Sequence, residues 1–191
     1  NLIRLIGGIV PLLVFFFIKF KMAYTNVQVI SSCKYIFIKG KSYTGADNAS
    51  IKIKPLHESG SEVSYDLSYA SNGVGQVMVN IPDLPFSGGV YEIDVIENGN
   101  SVTKKIIMIH CDLDCCLVKL TDELLDCECD CAKCATSLAK AEKIYLLVHA
   151  AKTAVDLYNT ATLSNSGYAL DAANKYKKAK ELCDASCGCN C

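Results

Sequence analysis

The hydrophobic period of this chain changes once, near His110, and that change divides what it can fold into. From Asn26 to His110 apolar and polar residues alternate. Ile51-Lys-Ile53-Lys54 and Val63-Ser-Tyr65-Asp-Leu67-Ser-Tyr69 are the clearest cases. Val27-Gln-Val29-Ile30, Tyr35-Ile-Phe-Ile38, Val77-Met-Val79-Asn-Ile81, Val90-Tyr-Glu-Ile93-Asp-Val95 and Val102 to Ile109 follow the same rule. Side chains two apart share one face of a strand, so this pattern builds sheets with one dry and one wet face. The separators carry turn chemistry: Thr44-Gly-Ala-Asp-Asn48, Glu58-Ser-Gly-Ser61, Ser71-Asn-Gly73, Gly88-Gly89 and Glu97-Asn-Gly-Asn100. The last predicts a hairpin with Asn98-Gly99 at its tip.

Beyond His110 the spacing becomes three and four. Leu113, Cys116, Leu117, Leu120 and Leu124 form one stripe. Cys134, Leu138, Ala141, Tyr145, Val148, Ala151, Val155 and Tyr158 form a longer one. Tyr168, Ala172, Tyr176, Ala179, Leu182 and Cys183 form a third. Each set lies on one face of a helix. Asp112 is placed to cap the first helix, and Ser164 or Ser166 the third. The break from Ala161 to Gly167 is short, so the second and third helices should run antiparallel. The fold expected is α+β: a β-sandwich over residues 23–110, then a cysteine-rich helical domain over residues 111–191.

Seven short strands in this space predict a sandwich of immunoglobulin type. Gly89-Val-Tyr91-Glu-Ile93-Asp-Val95 resembles the penultimate strand of immunoglobulin-like domains, where a Tyr packs at a corner. The inter-sheet disulfide of that family cannot be assigned, because Cys33 is the only cysteine before His110. Alone, Cys33 reads first as a small buried residue and second as a reactive thiol.

Residues 1–22 read as an apolar leader or as the product of translating AT-rich non-coding DNA. Leu5 to Phe17 is uncharged, and its 13 residues are short of the about 20 that a membrane-spanning helix needs. No small-residue cleavage site follows, and Met22-Ala23-Tyr24-Thr25 looks like a natural start.

Eleven of the 12 cysteines lie in the last 81 residues. Cys127, Cys129, Cys131 and Cys134 form one cluster; Cys183, Cys187, Cys189 and Cys191 form the other. A helical hairpin would bring both to one end. Two chemistries then stay open. The eight sulfurs can form disulfides, in on the order of a hundred pairings, as small domains with thin cores do in oxidising surroundings. Alternatively they can bind zinc as thiolates, typically four to a structural site. The Cys-x-Cys spacing resembles that of metallothioneins, which favours a shared metal. Cys111, Cys115 and Cys116 form a separate group that the first helix should hold away from this cluster. His110 and His149 are candidates for a mixed site there, although each sits where a structural role suffices.

The net charge is −1, which gives no basic field for nucleic acid. No phosphate loop, catalytic triad order or His-Glu-x-x-His occurs. Asp112/Asp114 and Asp122/Glu123 read as caps and solvated faces. Lys175, Lys177, Lys178 and Lys180 read as a solvated helix face. No small-molecule substrate is implied.

Ala172-Ala-Asn-Lys-Tyr176-Lys-Lys-Ala179-Lys-Glu-Leu182 resembles the second helix of a tetratricopeptide repeat, but one hairpin is not an array. A sandwich followed by Cys111-Asp-Leu-Asp-Cys115-Cys116-Leu-Val-Lys-Leu120, this hairpin and a Cys-Gly-Cys-Asn-Cys191 end is similar to cysteine-rich structural proteins of marine tailed phages. That resemblance implies a non-enzymatic virion component of the tail or baseplate. The sandwich would then dock other structural proteins or a surface ligand. The rival reading is a cellular, secreted or surface protein that uses the cysteine clusters for metal binding or thiol redox chemistry.

Overall fold

Seven strands form where the alternation predicts them. The computed structural model describes residues 27–57, 59–84, 86–125, 131–160 and 166–187. The leader read over residues 1–22 lies outside them. The strands are β1 (Val27–Ser31), β2 (Tyr35–Lys41), β3 (Asn48–Pro55), β4 (Val63–Ser68), β5 (Val74–Asn80), β6 (Gly89–Glu97) and β7 (Asn100–Ile109). They pair antiparallel in two sheets, β1-β2-β5 and β4-β3-β6-β7. The fourth strand joins the third, so the sheets hold three and four strands.

The sandwich core is the set of inward alternating positions. Ile36, Ile38, Ile51, Ile53, Leu67, Ile93 and Val95 have no exposed surface. Tyr91 is equally buried, and its hydroxyl donates to the Phe86 carbonyl at 2.6 Å. This is the tyrosine corner that the Gly89–Val95 pattern predicts. The β6–β7 hairpin turns at Asn98 (φ 50°) and Gly99 (φ 77°), the two left-handed residues of a type I′ turn.

Only His110 separates β7 from the helices α1 (Cys111–Leu125), α2 (Cys131–Thr160) and α3 (Ser166–Cys187). They cover the outer face of the four-stranded sheet. Val90, Ile106 and Met108 point out of that sheet into a second core with Leu113, Leu120, Ile144, Val148 and Tyr176. Ile107 and Ile109 point the other way, into the sandwich. The last four residues of β7 are therefore dry on both faces, which suits their unbroken apolar run. On α3, Ala169, Ala172, Ala173 and Ala179 are buried. Small side chains let α2 lie close, opposite its own Ala151 and Ala154.

The stripe read on α2 needs a correction in its first half. Leu138 and Tyr145 are 58% exposed, and their neighbours Ser137 and Ile144 are buried instead. The apolar face lies one residue over, and adjacent apolar residues such as Ile144 and Tyr145 do not say which of them points inward.

Candidate functional site

Cysteine chemistry runs through the described fold in its oxidised form. All five cysteines with described side chains, Cys33, Cys111, Cys115, Cys116 and Cys183, are disulfide-bonded. Cys33, in the turn between β1 and β2, is exposed and bonds Cys111, the first residue of α1, with Cα atoms 5.7 Å apart. The buried, unpaired role read for Cys33 is thus corrected. The β1–β2 turn lies beside the start of α1, and the partner is 78 residues away in sequence.

Cys116 bonds Cys183, with Cα atoms 5.9 Å apart. This corrects the separation expected between the α1 cysteines and the C-terminal cluster: α1 packs against α3 as well as α2. Cys183 is therefore not available as a thiolate ligand. Among the other candidate ligands, Cys127, Cys129, Cys189 and Cys191 lie outside the described residues. Cys131 and Cys134 fall in the first turn of α2 and Cys187 ends α3, with side chains outside the description. Among the described residues no group of three or more His, Cys, Asp or Glu is arranged to hold a metal ion. The mixed site considered with His110 and His149 does not form there. His110 Nδ1 lies 2.7 Å from Asp114, and His149 packs beside the exposed Tyr145 ring.

Two buried polar centres carry no motif and were not read from the sequence. The first is Glu97, the last residue of β6, which has no exposed surface. Its carboxylate accepts from Thr44 N (2.9 Å), Thr44 Oγ1 (2.8 Å), Tyr43 N (3.0 Å), Ser42 Oγ (3.2 Å) and Tyr69 Oη (2.7 Å). Burial alone would push its pKa up. The bonds from Tyr69, Thr44 and Tyr43 outweigh that and hold it at about 2. Burial and the bond to Glu97 in turn raise the Tyr69 phenol. The centre ties the loop after β2, in one sheet, to the end of β6 in the other. A signal was present: Tyr91, Ile93, Val95 and Glu97 share one face, so alternation places this carboxylate inside.

The second centre joins sandwich to helices. The buried His57 ring meets Phe86, Tyr91 and Tyr176 edge-on, with centroids 5.0–6.1 Å apart. His57 Nδ1 accepts from Val90 N at 3.3 Å. Tyr176 Oη donates to Asp112 at 2.8 Å, and Lys180 stands 3.6 Å from the same carboxylate oxygen. Asp112 also accepts from Leu113 N at 3.0 Å, in keeping with its N-terminal position on α1. Gly88 and Gly89 allow this approach. A Cβ on Gly89 would overlap the His57 ring, and one on Gly88 would overlap the Tyr176 hydroxyl and Asp112.

Two surfaces of the sandwich stand out among the described residues. A groove of about 470 Å³ runs between the edge strands β1 and β7, lined by Val27–Ile30, Lys105–Ile107 and Asn159. The outer face of the three-stranded sheet carries an apolar row, Ile30 beside Phe37 beside Met78. Ile30 is 60% and Met78 59% exposed, with Tyr35 also exposed nearby. Gln28, Lys39 and Gln76 form the adjacent row, and no acidic residue occurs on these three strands.

No protein-family model matches this chain, and no characterised protein matches it in sequence. Among the described residues no helix is long and apolar enough to cross a membrane. The class that fold and site define is an α+β protein: an immunoglobulin-like sandwich cross-linked by the Cys33–Cys111 disulfide to a helical module that carries its own Cys116–Cys183 bond. Its disulfides are compatible with an extracellular protein.

Proposed function

We propose that the chain is a non-enzymatic structural and interaction protein, a component of a phage tail or baseplate, with the sandwich as its docking or adhesion module. The observation that carries this reading is the apolar row Ile30–Phe37–Met78 on a sheet whose other face packs on the core through Val27, Ile36, Ile38 and Val79. A row of large apolar side chains left open on a rigid sheet favours contact with another surface. Support comes also from the polar centres. Glu97 is saturated by donors and Asp112 is held by Tyr176, so both serve to fix the body rather than to move protons. Disulfides at the five cysteines whose side chains are described suit a particle that works outside cells.

The test is mass spectrometry of virions purified from the genome that encodes the chain. The reading expects its peptides in fixed proportion to other tail proteins. Recovery only from the host cell fraction would overturn it.

A further inference from the structure

The two described disulfides differ in access and in what they hold. Cys116 and Cys183 are 0% and 3% exposed, inside the helical core. Cys33 is exposed, and Cys111 is half-buried against the sandwich. Cys33 follows the end of β1 by two residues, and Cys111 follows the end of β7 by two. Their bond therefore clamps the ends of the two edge strands that line the groove. Beside it, Asn159 of α2 holds the Ile106 main chain of β7, and Lys105 donates to the Asn159 carbonyl at 2.9 Å; these bonds tie β7 to the helices and not to β1.

We propose that Cys33–Cys111 is a site of thiol–disulfide exchange that acts as a latch on this seam. The reactant is a thiolate, from a small thiol or from a partner protein. It attacks Cys33 Sγ, the sulfur that solvent reaches. A new disulfide forms between the incoming sulfur and Cys33, the Cys33–Cys111 bond breaks, and Cys111 leaves as a thiolate that takes a proton from water. One disulfide replaces another, so electrons balance. Access decides which sulfur is attacked and which bond yields first. Cys111 leaves from the first turn of α1, where the helix N-terminus favours a thiolate, although Asp112 and Asp114 in the same turn oppose it. Once open, the β1–β2 hairpin is held to β7 only by packing, and the β1 main chain gains access to water or to an incoming strand, while the Ile106 groups of β7 stay on Asn159. Cys116–Cys183 keeps α1 and α3 joined throughout.

The test uses the full chain with glutathione, alkylation of released thiols and peptide mapping. Glutathione should appear on Cys33 and the alkyl group on Cys111, with opening about tenfold or more faster than at Cys116–Cys183. In a parallel arm, a thioredoxin-type protein lacking its resolving cysteine should be trapped at Cys33 if protein thiols also react; capture by one source and not the other identifies the reactant. Amide exchange across 27–31 should quicken when the bond opens. Glutathione on Cys111, prior opening of Cys116–Cys183, or no reaction with either thiol would overturn the site. Unchanged exchange in β1 after opening would overturn the latch. Cys33→Ser should reproduce the quickened exchange without any thiol, and if it does not fold, the wild-type titration still decides.

Discussion

The Asn159 side chain pairs with the main chain of Ile106 as a neighbouring strand would. Its Oδ1 accepts from Ile106 N at 2.9 Å, and its Nδ2 donates to Ile106 O at 2.7 Å. Ile106 lies on β7, the edge of the four-stranded sheet. An edge strand presents unpaired main-chain groups, and a helix laid across it is one way to blunt that hazard. Here one residue near the end of α2 does so, which fixes the helices on the sandwich.

Asn159→Leu removes both bonds and leaves the Ile106 groups at a part-buried position. Net hydrogen bonds are worth about 1 kcal/mol each, more where a partner is stranded, so a loss of about 2–3 kcal/mol is expected. Chemical denaturation should show it as a lower midpoint with an unchanged slope. Asn159→Asp keeps the acceptor and loses the donor, and should fall between the two.

Gly89 sits at φ 146°, a conformation open to glycine, and its missing Cβ leaves room for the His57 ring. Gly89→Ala should cost about 2–4 kcal/mol through backbone strain and overlap together. In a His57→Ala background the overlap is gone and only the strain remains. A double-mutant cycle should therefore give a coupling of about 1 kcal/mol or more. Strict additivity would show that the ring is not what the glycine accommodates.

Glu97 gives the protein a defined acid sensitivity. Its pKa in the folded protein is lowered from 4.5 to about 2. The unfolded chain thus binds this proton first as pH falls, and folding suffers. The contribution is fully present above the unfolded value and is lost as pH drops from about 4.5 towards 2. Glu97→Gln should flatten stability over that window and lower it at neutral pH, read as thermal midpoint against pH. A mutant curve parallel to wild type would contradict this.

The Cys116–Cys183 bond closes a loop of 67 residues. Opening such a loop costs roughly 4 kcal/mol in the chain-entropy account. Cys116→Ser with Cys183→Ser should loosen α1 and α3 by a large part of this and leave the tyrosine corner intact. Amide exchange on the two halves would separate the effects.

How much of this was legible follows from residue spacing. Strands such as Ile51–Lys54 and Val63–Tyr69 announce themselves because a period of two involves only neighbours. The tyrosine corner was legible from Gly89 to Val95 for the same reason. The run Ile106-Ile-Met-Ile109 reads in the sequence as one more alternating strand, although its unbroken apolar stretch fits the burial of both its faces. The Cys33–Cys111 pairing was not legible, because nothing local links residues 78 apart. His57 carries no local signal, because its role depends on Gly89 and Tyr176, which only the fold brings near it. Leu138 and Tyr145 were misplaced because adjacent apolar residues leave a helix face uncertain by one position.

Non-reducing peptide mapping of the purified chain tests the central claim, that one disulfide binds the sandwich to the helices and a second binds α1 to α3. The account predicts Cys33 linked to Cys111 and Cys116 linked to Cys183, with the adjacent Cys115 also oxidised, none of them changed by a zinc chelator. A free Cys33, or Cys183 recovered as a metal-bound thiolate, would contradict it.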